Sequence, residues 1–457
     1  MRIRGSVTKI IVRLLCAGLV LLTTSRGALA EGGDIHPSMP ASAEALPALN
    51  PGDTAWLLVS TALVMLMTPG LAFFYGGLVR KKNVLSILMQ CFIVLCLVSI
   101  QWVLFGYSLS FGPDKHGIIG DFSWVFMNGV GGTPNADYAG TIPHQVFMIF
   151  QMMFAVITPA LILGAFAERM KFSAYCIFTL LWSTLIYDPV AHWVWGNGGF
   201  LRKLGALDFA GGTVVHINAG IAALVCALVL GKRLGHPDRI SPPHNLPLAV
   251  LGAGLLWFGW FGFNAGSALG ANGLAGNAFV VTHVAAATAG MTWAVLDWFF
   301  NSKPTMLGLI TGVVAGLVAI TPAAGFVNVV GAIGIGIGVS VICYIFVAVI
   351  KPRLGYDDSL DAFGVHGIGG IWGALATGLW ATRTVNPAGA DGLFYGNPNL
   401  FLVQLGAVLA TVIFSALGSL ILLKLVDKLV GLRVDEGEER IGLDLTQHME
   451  VGYTTID

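Results

Sequence analysis

Charge is what this chain has little of. Of 457 residues only 11% are Asp, Glu, Lys or Arg, and 24 basic residues cancel 24 acidic ones, so neither nucleic acid nor an acidic surface is indicated as a partner. Cysteine is scarce too. The six, Cys16, Cys91, Cys96, Cys176, Cys226 and Cys343, lie in apolar runs without metal-ligand spacing and read as small buried hydrophobes, not as a disulfide framework. What fills the chain is apolar: 56% hydrophobic residues and a mean hydropathy of +0.80 argue against a set of soluble domains and for an all-α polytopic membrane protein. The 60 glycines fit, because small residues let membrane helices approach closely.

Residues 1–30 carry Arg2, Arg4, Lys9 and Arg13, then "LLCAGLVLL", then "ALA" before Glu31. That order is a secretory signal with a small-residue cleavage site, and its apolar core is too short to span a bilayer. After the polar stretch 31–52, apolar runs of spanning length recur near 54–79, 84–110, 143–167, 172–195, 213–231, 247–270, 274–300, 305–322, 325–350, 362–381 and 399–430. Eleven transmembrane helices with an exterior N-terminus end inside. Loop charge agrees: Arg80, Lys81, Lys82, Arg169, Lys171, Lys232, Arg233, Arg239, Lys303, Lys351 and Arg353 fall on the expected cytoplasmic side, against Lys115, Arg202, Lys203 and Arg383 outside. The domain reading is therefore a signal peptide at 1–30, a transmembrane domain at 31–430 and a cytoplasmic tail at 431–457. Helices one to five and six to ten start on opposite sides, so the similarity of "TPALILGAFAE" to "TGVVAGLVAITPAAG" reads as an inverted five-helix repeat plus one extra helix.

Two histidines interrupt the apolar pattern, His216 in "AGGTVVHINAG" and His366 in "AFGVHGIGG". Intramembrane ionisable groups are expensive and tend to mark pathways, and two at equivalent places in two halves weaken the reading of a satisfied structural histidine. An imidazole pair can share a proton, one nitrogen donating while the other accepts. Asp208, eight residues before His216, and Asp361, five before His366, read first as helix caps. Trp195 ends its helix on the exterior side, where an aromatic face attracts a cation and Ser267 could add a hydroxyl acceptor. Asp188 is unexpected in an apolar run, with His192 four residues on as the bland partner. "ERIGLDL" in the tail has apolar spacing compatible with docking on the cytoplasmic face.

Together "DFAGGTVVHINAG", "PHNLP", "GWFGFNAGSA", "DDSLDAFGVHGIGG", "VGLRV" and "RIGLD" resemble the ammonium transporter family, the Amt proteins with their Mep and Rh relatives. The resemblance covers nearly the whole chain after the signal. It implies an inner (plasma) membrane transporter, not an enzyme, assembled as a homotrimer with a pore through each subunit and carrying no cofactor or metal. By that resemblance Phe150, Trp195 and Ser267 form an exterior ammonium-recruitment site backed by Asp208. Phe154 and Phe263 are the gate below it, and His216, His366 and Trp260 line the pore. Asp358 and Asp361 fall in the cytoplasmic segment before the tenth helix, and a PII-type signalling protein can plug the pore mouth. Two positions depart from the family: Val281 stands where Asn is common, and Met449 replaces a tail Gly, which argues against tail docking. The alternatives are a membrane ammonium sensor signalling through the tail and, in another class, a redox enzyme with His216 and His366 as axial haem ligands.

Overall fold

A computed structural model describes residues 49–238 and 242–453; the signal segment expected at 1–30 lies outside them. Each of the eleven apolar runs is helical. They are α1 (Pro51–Leu78), α2 (Lys81–Phe111), α3 (His144–Phe166), α4 (Phe172–Trp182, continuing through Asp188–Trp195), α5 (Gly212–Leu230), α6 (Leu246–Ala268), α7 (Gly273–Asn301), α8 (Met306–Ile320), α9 (Val329–Leu354), α10 (Ile368–Trp380, opened by a π-turn at Phe363–Gly367) and α11 (Pro398–Val430). Among the described residues nine helices are long and apolar enough to cross a membrane, and α8 is apolar but shorter. Helices are the form such sequence takes because lipid offers backbone groups no partner. Their starts are written in polar residues: Asn50, Asn245, Asn272, Asn328 and Asn397 each cap a first turn of α1, α6, α7, α9 and α11, and Thr305 caps α8.

The interior is built on close backbone approach. A Cβ at Gly252 of α6 would lie 2.1 Å from the amide nitrogen of Phe74 on α1, so the two helices touch through glycine. α3 is buried along nearly its whole length, packed on α1, α2 and α5. π-Turns widen the helices at Trp102–Gly106, Ser183–Tyr187, Gly212–Ile217, Phe346–Ile350 and Phe363–Gly367.

The tail docks. α12 (Glu436–Ile441) and α13 (Leu443–His448) tie down to the α5–α6 loop and the start of α2 at one end of the bundle. Glu439 accepts from Leu234 N at 2.7 Å and Arg433 Nη2 at 2.8 Å, Leu443 N donates to Asn83 Oδ1 at 2.8 Å, and Asp444 accepts from Ser86 N at 2.8 Å. Met449, which argued against docking, takes the left-handed conformation a glycine would favour, with φ of 61°. The contacts of α12 and α13 carry the docking despite that strain. Beside them Glu168, only 2% exposed, receives Arg80 Nε at 3.0 Å, Asn83 Nδ2 at 2.9 Å and Arg233 Nη1 at 3.1 Å, and Arg233 also reaches Asp357 at 2.8 Å.

Candidate functional site

Both histidines stand in π-turns at helix starts, His216 in Gly212–Ile217 and His366 in Phe363–Gly367. Glycine brings them together. A Cβ at Gly220 would lie 2.1 Å from Gly367 N, and one at Gly370 would lie 3.1 Å from His216 Cβ, so α5 and α10 cross where neither carries a side chain. The imidazole rings lie nearly parallel, 13° apart with centroids at 5.4 Å. The direct hydrogen bond anticipated within the pair is absent: neither nitrogen of His216, a residue 1% exposed, has a protein partner. This geometry also removes the haem reading. Axial ligands hold an iron macrocycle between them, whereas these ring centroids are only 5.4 Å apart and share a space of about 10 Å³. That space admits about one water-sized molecule.

Trp260 and Phe263 of α6 close this space. Trp260 stacks on His216 at 5.4 Å, its indole anchored to Thr321 Oγ1 at 2.9 Å, and Phe263 lies 6.1 Å from the same imidazole. Phe154 lies on Phe263, 4.3 Å between centroids, so two rings separate the histidine space from a cavity of about 180 Å³ above it. Trp195 and Ser267 line that upper cavity with Phe154. Ser267 Oγ donates to Phe263 O at 2.9 Å, which leaves its lone pairs for a guest. On the other side His366 borders a cavity of about 330 Å³ that also reaches Asp361 and Arg233, on the tail side of the bundle.

Not every candidate reaches the cavities. Phe150 is fully buried behind Phe154, edge-on at 5.0 Å, and lines none of the three spaces. Asp208 is a cap, as its chemistry suggested: its carboxylate accepts from the amides of Gly211, Gly212, Thr213 and Val214 at 2.6–3.1 Å. Its carbonyl also receives Trp195 Nε1 at 2.9 Å, so one residue both opens the histidine helix and holds the tryptophan. Asp188 does not pair with His192. It accepts from Gln101 Nε2 at 2.7 Å and Ser110 Oγ at 3.3 Å, while His192 bonds Asp114 Oδ1 at 2.9 Å and the Ser110 carbonyl at 3.0 Å. Each finds a partner elsewhere: Gln101 and Ser110 of α2 take the carboxylate, and Asp114 takes the imidazole.

Two roles escape sequence reasoning. Asp358, eight residues before His366 as Asp208 is before His216, is the cap of the second histidine turn, accepting from Ala362 N at 3.1 Å and Phe363 N at 2.8 Å. Asp361, whose position suggested that cap, has φ of 58° and pairs with Lys351 at 2.6 Å instead. The equal eight-residue spacing was the available signal. Gln151, hidden within "FQMMF", is 9% exposed, and its Oε1 has no protein partner although the side chain lines the upper cavity. Nothing in the sequence marks it.

Two stacked rings, a histidine with both nitrogens free and cavities on either side describe a narrow route rather than a catalytic centre. Comparison with known proteins agrees. A sequence model of the Ammonium Transporter Family matches residues 55–453. The chain is 55% identical over 402 residues to the ammonium transporter of Bacillus subtilis, covering 88% of this chain and 98% of that one, and 51% identical over 407 residues to ammonium transporter Amt1 of Archaeoglobus fulgidus, covering 89% and 100%. Among solved structures it is similar to Saccharomyces cerevisiae Mep2, with a TM-score of 0.80 at 36% identity over 85% of this chain and 89% of that one. It is also similar to a structure described as a sensor Amt protein, with a TM-score of 0.81 at 31% identity over 87% and 98%. This multi-pass membrane chain belongs to the ammonium transporter family.

Proposed function

We propose that this chain carries ammonium across the membrane by recruiting the cation in the Trp195 cavity, removing its proton and passing ammonia between His216 and His366. The observation that carries the reading is the pair of partnerless nitrogens of His216 in a closed space of about one water's size. Buried polar groups without partners are costly, and here the partner is the cargo. A bare monovalent cation loses several kcal/mol on entering such a space. Ammonium has a cheaper course: its pKa of about 9 lies some two units above neutrality, so giving up the proton costs ~3 kcal/mol. Potassium has no proton to give. Selectivity thus follows from deprotonation and not from size.

In this reading Trp195 offers a π face, Ser267 and Gln151 offer acceptor oxygens, Phe154 and Phe263 swing to admit the guest, and Trp260 holds His216 in place. Phe150 and Asp208 act from behind, as packing and as cap. Eleven membrane crossings with an exterior N-terminus and a cytoplasmic tail follow from the loop charges. Asp208 and Asp358 at equal spacing before their histidines support an inverted repeat. Residues 1–30 act as signal, 31–430 as transporter and 431–457 as regulatory tail. The subunits form a homotrimer with one pore each, and the tail side accepts a PII-type protein.

A second reading has one specific support, the similarity to a sensor Amt protein: the same site would bind ammonium in order to signal. Current on a solid-supported membrane carrying purified proteoliposomes separates the two. Ammonium pulses are expected to drive charge or pH movement while potassium pulses do not; saturable ammonium binding without any flux would overturn transport in favour of sensing.

A further inference from the structure

The upper cavity contains a charge that a cation-recruiting mouth should avoid. Arg202, on the short turn after α4, lines the cavity together with Trp195, Ser267 and Gln151. It is exposed, and its Nη1 donates to the Trp195 carbonyl at 2.7 Å. No carboxylate among the described residues pairs with it: Lys203 beside it takes Asp114 at 3.4 Å, and the other charged side chain in the lining, Asp137, is exposed and makes no ion pair. A guanidinium without a carboxylate partner therefore stands at the entrance, with one carboxylate on the same rim.

We propose that Arg202 and Asp137 set the affinity of the mouth for monovalent cations, Arg202 by opposing their entry and Asp137 by favouring it. This rests on recruitment at the Trp195 cavity and concerns how strongly that cavity takes its substrate. Two like unit charges within several Å of each other at a water-filled rim repel enough to change a half-saturation constant by about threefold. The effect is a surface one, so salt screens it: with a Debye length of about 10 Å at 0.1 M, shrinking to about 3 Å at 1 M, it fades as ionic strength rises. A contact that only positions Trp195 would show no such fading.

The test measures half-saturation for ammonium in proteoliposomes at low salt and at about 0.5 M N-methyl-D-glucamine chloride, a bulky cation. Arg202→Gln removes the charge but keeps an amide donor for the Trp195 carbonyl. It is expected to lower half-saturation about threefold at low salt and to converge on the parent at high salt. Arg202→Lys keeps the charge and should follow the parent at both. Asp137→Asn, on an exposed side chain that folding does not depend on, should raise half-saturation at low salt only. Parent-like values for Arg202→Gln and Asp137→Asn at low salt overturn the proposal, as does an Arg202→Gln shift that persists unscreened, which would make the residue a mere support for Trp195. Failure of the parent to carry ammonium would instead sink the recruitment reading, and that is seen in the parent alone.

Discussion

Trp195 ends α4 with its ring on the cavity, its indole N–H on the Asp208 carbonyl and its own carbonyl on Arg202. Such a residue is held from both sides, so replacing it removes the π face without removing the scaffold. Trp195→Leu is expected to raise half-saturation for ammonium about two- to thirtyfold, the range of a cation–π contact worth ~0.5–2 kcal/mol, while the protein still elutes as an intact assembly. Unchanged half-saturation would take the ring out of the recruitment step. Trp195 is legible in the sequence because an aromatic at a helix end next to "GNGG" is exposed to the aqueous side. Gln151 is not, since nothing in "FQMMF" distinguishes an amide that turns into a cavity from one that caps a neighbouring helix.

The crossing of α5 and α10 is the element-scale cause of the histidine pairing. Gly220→Ala puts a methyl 2.1 Å from Gly367 N and 2.9 Å from His366 C, backbone atoms that cannot yield by a rotamer change. The helices must part, at a cost of ~2 kcal/mol or more. We expect a lower melting temperature in detergent and a poorer yield; a variant as stable as the parent would show that the crossing tolerates separation. Hydropathy makes all eleven helices visible, because lipid-facing and core-facing residues alike must be apolar. Helix irregularities stay hidden. The π-turns at Gly212–Ile217 and Phe363–Gly367 depend on which carbonyl a given amide meets, and apolar periodicity does not encode that. Spacing also points to Asp361 as the cap that Asp358 provides, and to Asp188 as the partner of His192, because it does not show that Asp361 turns left-handed onto Lys351 or that α2 supplies Asp188 with partners.

Across the whole molecule the tail end is tied by charges that pack together only after folding. Burial alone would raise the carboxyl of Glu168, but Arg80 and Arg233 outweigh it and hold it below its ordinary value; Asp357 is likewise lowered, by Arg233 against the pull of burial. A depressed carboxyl contributes stability that is present above the unfolded pKa, about 4.3 for Glu, and is lost as pH falls through the lower folded value. The melting temperature should therefore hold down to about pH 5 and drop below about pH 4. Glu168→Gln strands the Arg80 guanidinium and leaves Arg233 to Asp357 alone, and should cost ~2 kcal/mol at pH 7, less than in a fully buried pair because both arginines reach solvent, with a shallower acid-side drop than the parent. Equal melting temperatures of variant and parent at pH 7 would show that the network contributes nothing. "ERIGLDL" makes docking legible as a choice between two outcomes. What decides it, Glu439 on Leu234 N and Asn83 on Leu443 N, joins segments about 200 and 360 residues apart, beyond any local pattern.

The central claim is that His216 and His366 pass ammonia and refuse ions that cannot deprotonate. It is tested most directly by recording currents from parent, His216→Ala and His366→Ala proteoliposomes under ammonium and potassium pulses, with size exclusion to verify assembly. Loss of one ring leaves the fold standing, since neither nitrogen of His216 holds another residue. The account predicts that each variant either loses the ammonium-driven current or gains a potassium current absent from the parent. Assembled variants that carry ammonium at the parent rate and still reject potassium would contradict it.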